Sequence, residues 1–64
     1  MDKYIVVYKE GSDLGALRSL ATLEWDDPVS GIATIRCTRQ QALAIRTLPF
    51  VVSIEVPQLG TVLA

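Results

Sequence analysis

The chain has 64 residues, enough for one domain, and half of them are hydrophobic. A domain of that size buries only roughly 60% of its unfolded surface, so packing, self-association or a partner must stabilise it. One cysteine excludes an internal disulfide, and the lack of histidine argues against a zinc cluster and rules out a Ser-His or Cys-His nucleophile pair. Six basic and seven acidic residues leave a net charge of −1, which points to neither nucleic acid nor an anionic membrane. No apolar run approaches the ~20 residues that cross a bilayer. The opening "MDKYIVV" meets charge too early for a signal peptide, so a cytoplasmic setting is the default expectation.

In chain order, "KYIVVYK" places five β-branched or aromatic residues between two lysines and predicts a strand apolar on both faces. "EGS" breaks it, and Ser12 is the expected cap of a short helix carrying Leu14, Leu17 and Ala21 at helical spacing, weakened by Gly15. "TLEW" and "GIATIRC" flank "DDPVSG", a dense turn signal that predicts a hairpin with a loop of about five or six residues. Thr38 opens "TRQQ", a capping box in which Thr38 and Gln41 each satisfy an orphan amide. The second helix turns Ala42, Ile45 and Leu48 to the core and stops before Pro49. "FVVSIEV" is the fourth strand, ending near Val56. The chain thus divides into a folded domain, residues 1–56, and an extended uncharged C-terminal tail, residues 57–64.

The order β-α-β-β-α-β with right-handed crossovers predicts an α+β, ferredoxin-like domain: a four-stranded antiparallel sheet with both helices on one face. In the first strand, Ile5 and Val7 are expected to face the helices, leaving Tyr4, Val6 and Tyr8 on the bare face. In the hairpin, Leu23, Trp25, Ala33 and Ile35 are expected inward, with Thr22, Glu24, Ile32, Thr34 and Arg36 outward. In the last strand, Val52, Ile54 and Val56 are expected inward, with Val51 and Ser53 outward. A bare face this apolar is expected to be an interface, centred on Tyr4, Val6, Ile32 and Thr34.

Catalytic chemistry is not expected. Cys37 sits at a strand end within an alternating pattern and reads as a small core residue. Asp26 and Asp27 adjoin Pro28 in a turn, and with Glu24 they offer too few oxygens for a metal. The four glycines form no phosphate loop. Tyr4 and Tyr8 lack the basic and aromatic partners of an RNA-stacking sheet. The sequence therefore predicts no enzyme, no cofactor and no metal.

"KYIVVYKEG" resembles the opening strand of subtilisin propeptides and of the stand-alone protease inhibitors built on the same domain. "GIATIRCTRQQALAIRTLPFVVSIEV" is similar to the stretch of that family in which a strand leads into a capped helix, a proline and a Val-x-x-Val/Ile-Glu strand. The matching residues are Ala42 and Leu43 in the helix, Leu48 and Pro49 at its end, and Val52, Ile54 and Glu55 in the strand. The first helix is shorter than in most relatives, and Val56 and Pro57 stand where further acidic residues are common.

The resemblance implies that the bare sheet packs on two surface helices of a subtilisin-like serine protease, with Glu55 meeting their N-termini. It also implies that the tail, Gly60, Thr61, Val62, Leu63 and Ala64, enters the active-site cleft as a product-like strand. Leu63 or Ala64 would fill the main pocket, and Pro57 would set the exit direction. A prosegment of this family also acts as an intramolecular chaperone. A chain that opens on methionine and stops at Ala64 is expected to be a free inhibitor. The alternative is a ferredoxin-like homodimer or adaptor without protease inhibition.

Overall fold

In a computed structural model that describes residues 2–57 and 60–63, the chain forms seven elements. They are β1 (Asp2–Tyr8), α1 (Gly15–Leu20), β2 (Thr22–Asp27), β3 (Ile32–Cys37), α2 (Arg39–Arg46), β4 (Val51–Val56) and β5 (Thr61–Val62). The five strands make one antiparallel sheet in the order β2-β3-β1-β4-β5. β1 is central, paired with β3 on one side and β4 on the other. Each helix lies in a connection that passes over a strand: α1 joins β1 to β2, and α2 joins β3 to β4.

The local chemistry explains both helices. In α2 the Gln41 amide N–H donates to the Thr38 hydroxyl at 3.1 Å, and the Thr38 amide donates to the Gln41 side-chain oxygen at 2.9 Å, completing the predicted capping box. Ala42 and Ile45 are buried below it. In α1 the expected Ser12 cap is not formed, because the Ser12 hydroxyl instead donates to the Lys9 carbonyl at 2.6 Å. The Asp13 carboxylate accepts from the Gly15 amide at 2.9 Å, and the helix runs for only six residues.

The β2–β3 hairpin is tighter than expected, since β2 extends to Asp27 and leaves residues 28–31 as the loop. The Asp27 carboxylate accepts from the Val29 amide at 3.1 Å and from the Ser30 hydroxyl at 2.7 Å. Gly31 closes the turn with φ +73°. Its amide donates to the Asp27 carbonyl at 2.9 Å, and its carbonyl accepts from the Tyr8 amide at 2.8 Å.

The core lies between the helices and one face of the sheet, and the expected facings are corrected in three strands. In β1 it is Tyr4, Val6 and Tyr8 that are buried, and Ile5 and Val7 that turn to the open face. A strand apolar on both faces carries no alternation to choose between them. The inward choice unites the tyrosine rings with Leu14, Leu17, Ala42 and Ile45 and brings the Tyr8 hydroxyl to Asp26. In β2 a bulge between Leu23 and Trp25 reverses the alternation, so Leu23 lies opposite Ile35 whereas Trp25 lies opposite Thr34. Trp25 is therefore 55% exposed on the open face. In β4 a register shift beside Val7 and Tyr8 sets Val51 against the core and leaves Val52 62% exposed. Ala33, Ile35, Ile54 and Cys37 are buried.

The strand count also differs from four. Residues 57–64 were expected to run free, but Thr61 and Val62 pair with Val56 and Glu55 as β5. The Gly60 amide donates to the Val56 carbonyl at 2.9 Å in the turn between them, with Gly60 at φ +64°.

Among the glycines, Gly31 is the one least able to take a side chain. A Cβ there would stand 2.5 Å from the Tyr8 carbonyl oxygen, so Gly31→Ala adds a backbone clash to the left-handed strain. Chemical denaturation should show a loss of at least about 2 kcal/mol. Gly11→Ala is the control: φ is +78° but nothing lies within 4 Å, so the loss should be only about 1 kcal/mol. Equal losses would show that the contact with Tyr8 has no energetic role.

Candidate functional site: the open sheet face

Residues directly opposite one another in the sheet share a face, so the register defines the open surface. One row runs Trp25, Thr34, Ile5, Glu55 and Val62 across all five strands. The next runs Asp27, Ile32, Val7 and Ser53. A third, toward one end, holds Thr22, Arg36 and Lys3. Both helices pack on the opposite face, so no element of the described residues covers these rows.

The middle of the face is apolar or hydroxyl-bearing, and charge is confined to its margins and to Glu55. At one margin Arg36 Nε donates to Glu24 Oε2 at 2.7 Å; the two side chains are 49% and 32% exposed. An exposed pair of this kind adds little stability but holds Arg36 out of the apolar centre.

Of the residues expected on this face, Ile32, Thr34 and Glu55 are there. Tyr4 and Val6 are not: both are core residues, for the reason given by the two-sided apolar pattern of β1. Their places are taken by Ile5 and Val7. Trp25 and Val62 complete the apolar surface. The β2 bulge that exposes Trp25 had no signal in the sequence, because an alternating reading carries Trp25 inward with Leu23.

The tail residues lie beside this face. Thr61 and Val62 are exposed in β5, whereas Leu63 is 3% exposed within the core and donates its amide to the Ile54 carbonyl at 2.7 Å. Pro57 is exposed. Ala64, the other expected pocket residue, lies outside the described residues.

The acidic residues of the hairpin all have partners within the fold: Glu24 pairs with Arg36, Asp26 accepts from the Tyr8 hydroxyl, and Asp27 binds its own turn. No group of three or more potential ligands of the His, Cys, Asp or Glu type occurs among the described residues. At one end of the sheet, an open groove of about 250 Å³ lies beside the end of α1, lined by residues that include Arg18, Thr22, Arg36 and Gln41. Gln41 is committed to the capping box and Arg36 to Glu24.

Three buried groups have raised pKa values. Burial, then the hydrogen bond to Asp26, pushes Tyr8 up from the ordinary 10.0 to about 12. Burial raises Tyr4 and the Cys37 thiol as well. The Ser30 hydroxyl and the local amides hold Asp27 below the usual carboxylate range.

Compared with known proteins, the chain matches no family model, no curated protein and no solved structure.

The raised values predict alkaline sensitivity. All three groups are protonated in both states at neutral pH. As pH climbs through 9.0 and 10.0 the unfolded chain releases the Cys37 and tyrosine protons while the folded chain retains them. Stability is therefore full below about pH 9 and falls progressively toward pH 12. Tyr8→Phe should cost about 1 kcal/mol at neutral pH, through the lost hydrogen bond, and make the decline above pH 10 shallower. Denaturation midpoints at intervals from pH 7 to 11.5 would measure both. A slope unchanged by the substitution would mean that Tyr8 titrates normally.

Proposed function

We propose that this chain is a ferredoxin-like inhibitor domain that acts on a subtilisin-like serine protease. It binds by its open sheet face and delivers residues 60–64 to the active-site cleft as a product-like strand. The observation that carries this reading is the uncovered apolar face, formed by all five strands and left bare by both helices. The resemblance of "KYIVVYKEG" and of the stretch from Gly31 to Val56 to the inhibitor family supplies the identity of the partner.

The size of the face favours two-part binding. The four strands β1 to β4, about 4.8 Å apart and about six residues long at about 3.3 Å each, give a footprint of about 400 Å². A standard interface takes about 800 Å² from each partner. The sheet alone falls short, which counts against a stable dimer held by this face only and favours a partner that also engages the C-terminal segment. An isolated tail would lose roughly 1–2 kcal/mol of backbone entropy per residue ordered, with little burial to offset it. Tethered to a docked domain, it reaches the cleft at high effective concentration. Val62, opposite Glu55, makes the tail continuous with the docking face.

In this reading Ile5, Val7, Ile32, Thr34 and Trp25 supply the desolvated centre, and Glu55 the single central charge. The domain contributes no catalytic group. It blocks the enzyme by occupying the cleft with the C-terminal segment.

Titration into a subtilisin-type enzyme with an apolar pocket should give saturable, one-to-one inhibition. Thr34→Glu and Val7→Glu place an ion in the desolvated centre, and each should weaken binding by at least about 2 kcal/mol, near thirty-fold. Neither touches the helix-side core, so thermal unfolding of both variants should stay close to that of the parent chain. Unchanged inhibition by both variants would remove the sheet from the interface. No inhibition by the parent, together with a dimer in sedimentation, would favour the homodimer or adaptor reading instead.

A further inference from the structure

We infer that residues 60–63 form a self-docked latch, and that the domain inhibits only when β5 detaches from β4 and releases Leu63 from the core. The inference rests on the inhibitor reading and adds a competition within it.

Leu63 has one side chain and two destinations. In the folded chain it is 3% exposed, part of the same buried cluster as Val6, Ala33 and Ile54. Its amide is committed to the Ile54 carbonyl at 2.7 Å. A cleft that takes the segment as an added strand, in the register that puts Leu63 and not Ala64 in the main pocket, needs that side chain in a pocket of its own. The two placements exclude each other.

The latch is built to open before the rest of the domain. β5 has two paired residues, at the sheet edge, and both are exposed. Gly60, which precedes it, has open space around its α-carbon. The anchor is therefore the Leu63 side chain with a few edge hydrogen bonds, whereas β1, β3 and β4 are held by the whole core. Short, exposed edge segments belong to the low-stability end of local opening. One buried leucine and about one net hydrogen bond, set against the backbone entropy of ordering four residues, leave the docked form favoured by only a modest factor. The apparent affinity of the tail for a cleft falls by the same factor, because only the open fraction is competent.

Glu55 and Val62 lie directly opposite each other across β4 and β5, so the double variant Glu55→Cys with Val62→Cys can close the latch covalently. Cys37 is buried in the core, away from this exposed edge. Oxidised and reduced forms of one protein carry the same surface residues, so comparing them isolates the latch. Both positions lie on the docking face, so the reference is the reduced double variant and not the parent: against it, the oxidised form should inhibit the subtilisin-type enzyme at least 100-fold less. Enzyme whose cleft is already filled by a small covalent inhibitor should bind both forms equally, through the sheet face.

Hydrogen exchange on the unmodified chain gives a readout independent of any protease. The Leu63 amide should exchange much faster than the amides of the central strands β1 and β3. Exchange of Leu63 only at the rate of global unfolding would overturn the latch, whatever the inhibition. Equal inhibition by oxidised and reduced forms would also overturn it and leave the inhibitor reading standing. Absence of inhibition by the parent chain would remove the inhibitor reading and the latch with it.

Discussion

Two helices of six and eight residues can cover only one face of a five-stranded sheet, and that limit governs the rest of the molecule. The covered face takes Tyr4, Val6 and Tyr8 from β1, Ala33, Ile35 and Cys37 from β3, and Ile54 from β4, and closes them against Leu14, Leu17, Ala42 and Ile45. β1 is the hinge of this arrangement because it pairs on both edges and contributes its largest side chains to the same side. No disulfide, and no buried charge among the described residues, reinforces the core. For a chain of 64 residues the packing of these few side chains carries the fold.

The polar groups serve that packing. The Tyr8 hydroxyl, at the margin of the core, donates to Asp26, which the β2 bulge has turned toward the helix side. The same bulge turns Trp25 the other way. One inserted residue thus satisfies a buried phenol and adds an indole to the exposed face. Asp27 and Gly31 then fold the hairpin back, and Gly31 seats its carbonyl on the Tyr8 amide. The turn, the bulge and the central strand are one mechanical unit.

The uncovered face is the counterpart of the same limit. Isoleucine, valine, tryptophan and threonine are left on the open side because both helices of the described residues pack on the other face. The C-terminal segment partly answers this by adding a fifth strand and by placing Leu63 in the core. It extends the open face with Val62 while it fills the other face with Leu63. One short segment thus contributes to both faces of the sheet.

Much of this could be read from the residues alone. The two helices, the hairpin, the capping box of Thr38 and Gln41, the buried Cys37 and the element order follow from local chemistry: caps, turn formers and the period of apolar residues. The inward facing of Ala33, Ile35 and Ile54 was legible because their neighbours Thr34, Arg36, Ser53 and Glu55 are polar. The facing of Tyr4 and Val6 was not, because "YIVVY" is apolar on both sides and either side satisfies a local rule. The exposure of Trp25 and Val52 depended on shifts of register against the partner strands, which no single strand specifies. The docking of Leu63 depended on the edge of β4 and on the assembled core beside it, and both exist only once the other strands and helices are in place. Local propensity determined which elements form; the pairing of strands and the shape of the shared core decided which face each side chain sees.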